Sequence, residues 1–84
     1  MKKEILSDYS WVIRGSQRIL ILNALKTAQT PNQIQKETKL KFSNVSDGLK
    51  KMVEKNIVVC LNPDERMGRI YKLTEKGEEI LKLF

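Results

Sequence analysis

Apolar residues in this chain recur three or four apart up to Asn56 and then alternate, so the pattern turns from helical to extended at that point. Val45, Leu49, Met52 and Val53 fall on one stripe of a helix from about Phe42 to Lys55. Ser43, Asn44, Ser46, Asp47, Lys50 and Lys51 occupy its other faces. A shorter helix precedes it. Thr30 can cap that helix, Pro31 takes the first helical position, where a missing N–H costs nothing, and Gln33 completes a capping box with Thr30. Ile34 is its inward residue, and Lys39-Leu40-Lys41 makes the turn between the two helices, with Leu40 pointing in. Upstream, Ser16 caps a helix that continues to about Thr27. Ile19, Leu22 and Leu25 form its buried stripe, and Leu20, Ile21 and Ala24 widen it, as suits a helix contacted from several sides. The segment from Lys2 to Gly15 carries Ile5, Leu6, Tyr9, Trp11, Val12 and Ile13, too many apolar groups for a disordered tail. It reads as a short helix or as a strand from about Trp11 to Arg14.

After Asn56, the β-branched run Ile57-Val58-Val59-Cys60-Leu61 reads as a strand. Asn62 to Gly68 is a turn segment, with Pro63 near its start and glycine at its end. Arg69 to Leu73 returns, with Ile70 and Lys72 on one face and Tyr71 and Leu73 on the other. Thr74 can cap a last helix from Glu75 to Phe84, with Glu75, Glu78 and Glu79 near its positive end and Ile80, Leu81 and Phe84 as an apolar edge. The pattern predicts one α+β domain over residues 1–84: a three-helix core, a β-hairpin over about 57–73 and a C-terminal helix over about 75–84. Within it, residues 30–56 pair a short helix with a longer one whose front end is small and polar. That is a helix-turn-helix with its second helix sized for the major groove, and the hairpin beside it is the wing.

With 84 residues the chain makes one domain with a small core, which oligomerisation would help to cover. A single Cys leaves nothing to pair with, and no segment is long and apolar enough to span a membrane. Met1-Lys2-Lys3 is interrupted by Glu4 and Asp8 and leads into no signal-peptide core, so the expected location is cytoplasmic. The net charge of +6 favours an anionic partner, with nucleic acid the usual one; the plainer alternative is that excess lysine keeps the protein soluble. There is no His, no Gly-rich phosphate loop and no pair of carboxylates in a plausible cleft, so neither an enzyme, a metal site nor a cofactor is expected. Cys60 sits in an apolar strand and reads as a buried, inert thiol rather than a sensor.

Three runs, SQRILILNALK, TPNQIQKETKLKFSNVSDGLKKMVEKNIV and CLNPDERMGRIYKLTEKG, resemble winged helix-turn-helix transcription regulators of the MarR/ArsR-like group, particularly its small archaeal members. The resemblance covers about residues 15–80. It implies a homodimer on operator DNA, with one recognition helix in each half-site. It also implies that Ser43, Asn44 and Ser46 stand on the exposed front of the recognition helix, that Lys50 lies near the backbone, and that Arg66 and Arg69 belong to the wing and its base. Two positions depart from the pattern. Asp47 stands where arginine is common, and a carboxylate beside phosphates is unfavourable unless it pairs with Lys50 or Lys51 or accepts from a cytosine amine. Lys41 replaces a capping Ser or Thr, losing about 1 kcal/mol and offering a phosphate contact instead.

The side-chain chemistry fits that reading. Ser43, Asn44 and Ser46 are short enough to let a helix approach base edges: asparagine can bind adenine through two hydrogen bonds, and serine can serve any base. Phe42 can touch a thymine methyl or pack on the preceding helix. Lys36, Lys39, Lys41, Lys50, Lys51 and Lys55 surround the motif and can follow a phosphate backbone, though a solvated lysine face would look the same. Arg66 at the wing tip can enter the minor groove or clasp phosphate, and Arg69 can do so or pair with Asp64 or Glu65. Trp11 reads as a core or dimer anchor. The dimer is expected through the N-terminal segment and the C-terminal helix, and the alternative function is a winged helix used as a protein-interaction module.

Overall fold

The computed structural model describes residues 3–84; Met1 and Lys2, at the basic start, lie outside the described residues. The order is α1 (Lys3–Ile13), α2 (Ser16–Ala24), α3 (Pro31–Thr38), α4 (Phe42–Glu54), β1 (Val58–Cys60), β2 (Tyr71–Leu73) and α5 (Glu75–Leu81). This is an α+β winged helix-turn-helix fold, with the hairpin and the closing helix where the alternating pattern puts them. β1 and β2 pair antiparallel, Val58 opposite Leu73, Val59 opposite Lys72 and Cys60 opposite Tyr71. No helix among the described residues is long and apolar enough to cross a membrane.

The N-terminal segment is a helix, not a strand, because its inward residues Ile5, Asp8 and Val12 are three and four apart. α2 touches α1, α3, α4 and α5, which accounts for its broad apolar surface. Its buried residues are Ile21, Leu22 and Ala24, with Leu25 buried at its C-cap. Ile19 is only partly buried and packs against that core. Leu20, expected to widen the stripe, is 44% exposed, since one residue before Ile21 rotates a side chain about 100° away from the core. The N-cap is Gly15 rather than Ser16, with no side-chain cap bond, and α2 stops at Ala24, short of Thr27. Val53 is likewise off the stripe at 40% exposed, leaving Val45, Leu49 and Met52 as the inward face of α4.

The expected threonine caps, at Thr30 and Thr74, form. The Thr30 amide donates to Gln33 Oε1 (2.9 Å) and the Gln33 amide to Thr30 Oγ1 (3.3 Å). Lys39 closes α3 in the left-handed region at φ 64°, and Leu40 packs partly buried against the core. Lys41 is the N-cap of α4 and gives no side-chain cap bond, since an ammonium cannot accept one. Thr74 joins three elements: its hydroxyl donates to the Asn56 carbonyl (2.7 Å), accepts from the Gly77 amide (3.1 Å), and its own amide donates to the Ile57 carbonyl (3.0 Å). Gly77 itself sits so close to Ile57 that a Cβ would run into that same carbonyl oxygen.

One strand-like contact has no sequence signal. Gln29, between α2 and α3, exchanges both backbone hydrogen bonds with Tyr71 (2.9 and 2.8 Å). It fastens the wing to the helical body beside β2. The hairpin strands are shorter than the apolar run suggests, three residues each. α5 also ends early, at Leu81, with Phe84 set against Tyr9 at 5.1 Å between ring centroids.

Candidate nucleic-acid interface

α4 is aimed by what it buries. With Val45, Leu49 and Met52 turned inward, 100° per residue puts Ser43, Asp47, Lys50 and Glu54 on the opposite, outward row. All four are exposed. The two flanks of the helix differ. Phe42 and Ser46 line a cleft of about 460 Å³ whose other wall is the wing residues Arg66, Met67 and Arg69. Asn44, Asp47 and Lys51 line a second cleft, of about 420 Å³, against Trp11, Arg14 and Arg18. The expected base-contact residues therefore do not share one direction: Ser46 leans toward the wing, Ser43 outward, and Asn44, partly buried, toward α2. Lys41 and Lys50 are exposed and line neither of these clefts.

The first cleft owes its shape to the wing. Asn62, Pro63 and the following residues form a turn closed by the Glu65 amide donating to the Asn62 carbonyl (3.1 Å). The Asn62 side chain then spans the loop: its Oδ1 accepts from the Ile70 amide (2.7 Å), and its Nδ2 donates to the Gly68 carbonyl (3.2 Å). Arg69 does not pair with either neighbouring carboxylate; its Nε donates to the Glu65 carbonyl (2.6 Å) and stiffens the loop. Arg66 carries no such bond and is exposed, while Met67 is 87% exposed, an apolar side chain held out over the cleft. Gly68, at φ 69°, makes the reversal behind it. Phe42, 49% exposed, stands outside the core and lines the cleft together with the start of α3, at Pro31 and Asn32, and the wing.

The second cleft exists because α2 and α4 approach closely at Gly48, where a Cβ would lie 2.6 Å from Ile21 Cδ1. Its corner is built by Arg18. The guanidinium donates to the Trp11 carbonyl (2.6 Å) and lies 4.1 Å from the centre of the indole ring, with Lys55 Nζ 4.9 Å from the same ring. Trp11 is thus a partly buried anchor between two cations rather than a stacking platform. Arg14, Arg18 and the front of α2 were not among the expected site residues. Their signal was the pair of arginines four apart around Gly15-Ser16, but their place beside α4 depends on how α2 packs.

Cys60 is free and only partly buried, not sealed in the core as expected, because the hairpin covers β1 incompletely; its sulfur lies 3.7 Å from Asn62 Oδ1. Among the described residues no group of three His, Cys, Asp or Glu side chains is placed to hold a metal ion.

A family model described as winged helix-turn-helix matches residues 14–84, everything from the α1–α2 corner to the end. The chain belongs to the winged helix-turn-helix family. Membership of that family, rather than the lack of a metal group, sets the chain apart from enzymes. The solved structure of BpsR from Bordetella bronchiseptica, a protein whose DNA binding is regulated by 6-hydroxynicotinic acid, is similar with a TM-score of 0.76. The likeness covers 94% of this chain and 68% of that one at 13% identity, so it shows a shared winged-helix fold. No curated protein matches the chain.

Proposed function

We infer that this winged helix is a sequence-specific, double-stranded DNA-binding transcription regulator, with α4 in the major groove and the wing on the backbone or in the minor groove. One observation carries the reading: the exposed polar row of α4, which includes Lys50, is flanked by a wing that holds out Arg66 and by Lys41 and Lys51, in a chain of net charge +6. In this reading Ser43, Asn44 and Ser46 contact bases. Lys41, Lys50 and Lys51 contact phosphates, as do Arg66 and Arg69 unless the wing enters the minor groove. Family membership and the DNA binding reported for BpsR agree with it. The finer placement among small archaeal MarR/ArsR-like regulators rests on the three sequence runs given above, and a cytoplasmic location follows from the role.

A homodimer through the N-terminal segment and the C-terminal helix belongs to the same proposal. α1 and α5 pack on each other within the chain and bury Ile80, so part of the expected interface is already covered. Leu6 and Ile13, seven residues apart and so on one side of α1, stay about half exposed, as do Leu20 and Phe84. These are the residues left for a two-fold partner. Sedimentation equilibrium, free and on operator-length duplex, is expected to show a dimer in at least one of the two conditions; a strict monomer in both rejects it.

The functional test is selection from a random duplex pool, with binding repeated at two salt concentrations. An enriched palindrome and salt-sensitive affinity are expected. Salt-sensitive binding without enrichment points to an architectural role. The second reading, a protein-interaction module, is favoured by the carboxylate of Asp47 in the middle of the outward row of α4. Retention of no duplex even at low salt would leave that reading standing and reject DNA binding.

A further inference from the structure

Asp47, unlike Glu54 at the far end of α4, is a carboxylate set among the expected base-contact residues, where a general phosphate-binding surface would not place one. It lies on the outward row between Ser43, one turn before it, and Lys50, just under one turn after. Lys50 and Lys51 stand three and four residues further along, the spacings at which a helix offers an ion pair. Neither takes it: among the described residues the ion pair present is Lys76 with Asp8, on other helices. Asp47 borders the cleft that holds Arg14 and Arg18, yet forms no ion pair or hydrogen bond with them either, and stays an exposed acceptor on the outward row.

An ionised carboxylate accepts hydrogen bonds and donates none. Phosphates offer it nothing but repulsion. In the major groove, guanine presents two acceptors and thymine an acceptor and a methyl group; the donors are the amines of cytosine and adenine. The adenine amine adjoins N7, a second acceptor, which would face the other carboxylate oxygen. Cytosine sets its amine beside a C–H, where no such clash arises. Position and chemistry together select one base.

We propose that Asp47 is a specificity-determining residue that reads the amine of a cytosine in the major groove and disfavours the other bases at that pair. It lowers affinity for arbitrary DNA while it raises discrimination. The proposal rests on the DNA-binding reading given above. It also orders the α4 candidates, with Ser43 and Asp47 toward the groove floor, Asn44 and Ser46 on the two shoulders and Lys50 further along the row at the phosphates.

The test compares the full chain, Asp47→Ala and Asp47→Asn in parallel selections from a random duplex pool. Each is then titrated with the wild-type site and with a scrambled duplex. Asp47 is exposed, and matching thermal melts of the three proteins check that the fold is kept. Wild type is expected to enrich a C·G pair at one position of each half-site. Asp47→Ala should lose about tenfold in preference at that pair alone and bind the scrambled duplex more tightly. Asp47→Asn should move the preference there toward adenine, whose N6 and N7 an amide can engage together. If both variants enrich the wild-type sequence unchanged and merely bind all DNA more tightly, Asp47 is an electrostatic brake and the proposal is overturned. If wild type and both variants retain no duplex, the DNA-binding reading falls and this proposal with it.

Discussion

α1 and α5 hold one side of the molecule through burial, whereas the wing tip is held almost wholly by hydrogen bonds. On the α1–α5 side Ile5, Val12 and Ile80 are buried, Gly77 lets α5 meet the Ile57 carbonyl, and Asp8 and Lys76 form an ion pair at 2.7 Å with side chains 12% and 20% exposed. In the tip, residues 61–70 are exposed apart from the partly buried Asn62, and the bonds that fix the loop run mainly through that asparagine. Changes on the first side should therefore act on global stability. Changes at the tip should act on local order and on whatever the tip touches, with little effect on the rest.

The largest separation is expected from Asp8→Ala. It strands the Lys76 ammonium in a mostly buried place. Removing one partner of a fully buried pair costs about 3–5 kcal/mol, and the residual water access here lowers that to about 2–3 kcal/mol. Urea denaturation should show it as a lower midpoint with an unchanged slope. Gly77→Ala comes next. Alanine recovers about 1 kcal/mol of helix propensity. Overpacking against a backbone oxygen, which cannot rotate away, costs about 1–3 kcal/mol, so a net loss of up to about 2 kcal/mol is expected in the same assay. Neither variant should change DNA sequence preference.

Asn62→Ala should move global stability by less than about 1 kcal/mol, because the bonds it removes close an exposed loop. Its mark should be faster hydrogen exchange at the Ile70 amide; equal protection of that amide in both proteins would show that the loop is held by something else. Arg66→Ala is the smallest on the stability scale, within about 0.5 kcal/mol. On duplex of any sequence it should lower the salt slope by about one unit for the lost phosphate contact. A slope equal to wild type would place Arg66 away from the backbone.

What could be read in the sequence follows the same division between local and distant causes. Thr30, Pro31 and Gln33 announce their helix because a capping box needs only neighbours. The hairpin was legible from a β-branched run before a Pro–Gly turn and an alternating segment after it. α1 stayed open between helix and strand because Asp8 interrupts its inward stripe, and the lysine that makes a charge acceptable there lies on the far end of the chain, in α5. The outward row of α4 was legible once Val53 is set aside, and its exposure shows how far one residue's rotation matters. The two clefts beside α4 were not legible. They depend on the close approach of α2 at Gly48 and on the Asn62 clasp, which are relations between elements rather than properties of either one.

In the proposed complex the outward row of α4 and the wing tip together face DNA. Titrating the ¹⁵N-labelled full chain with the selected duplex, with backbone amides followed by NMR, reads out that contact. Shifts are expected to concentrate at Ser43, Asp47 and Lys50 and from Arg66 to Ile70, with the amides of α5 nearly unmoved. Shifts gathered on α5 with the α4 row and the wing unchanged would contradict it.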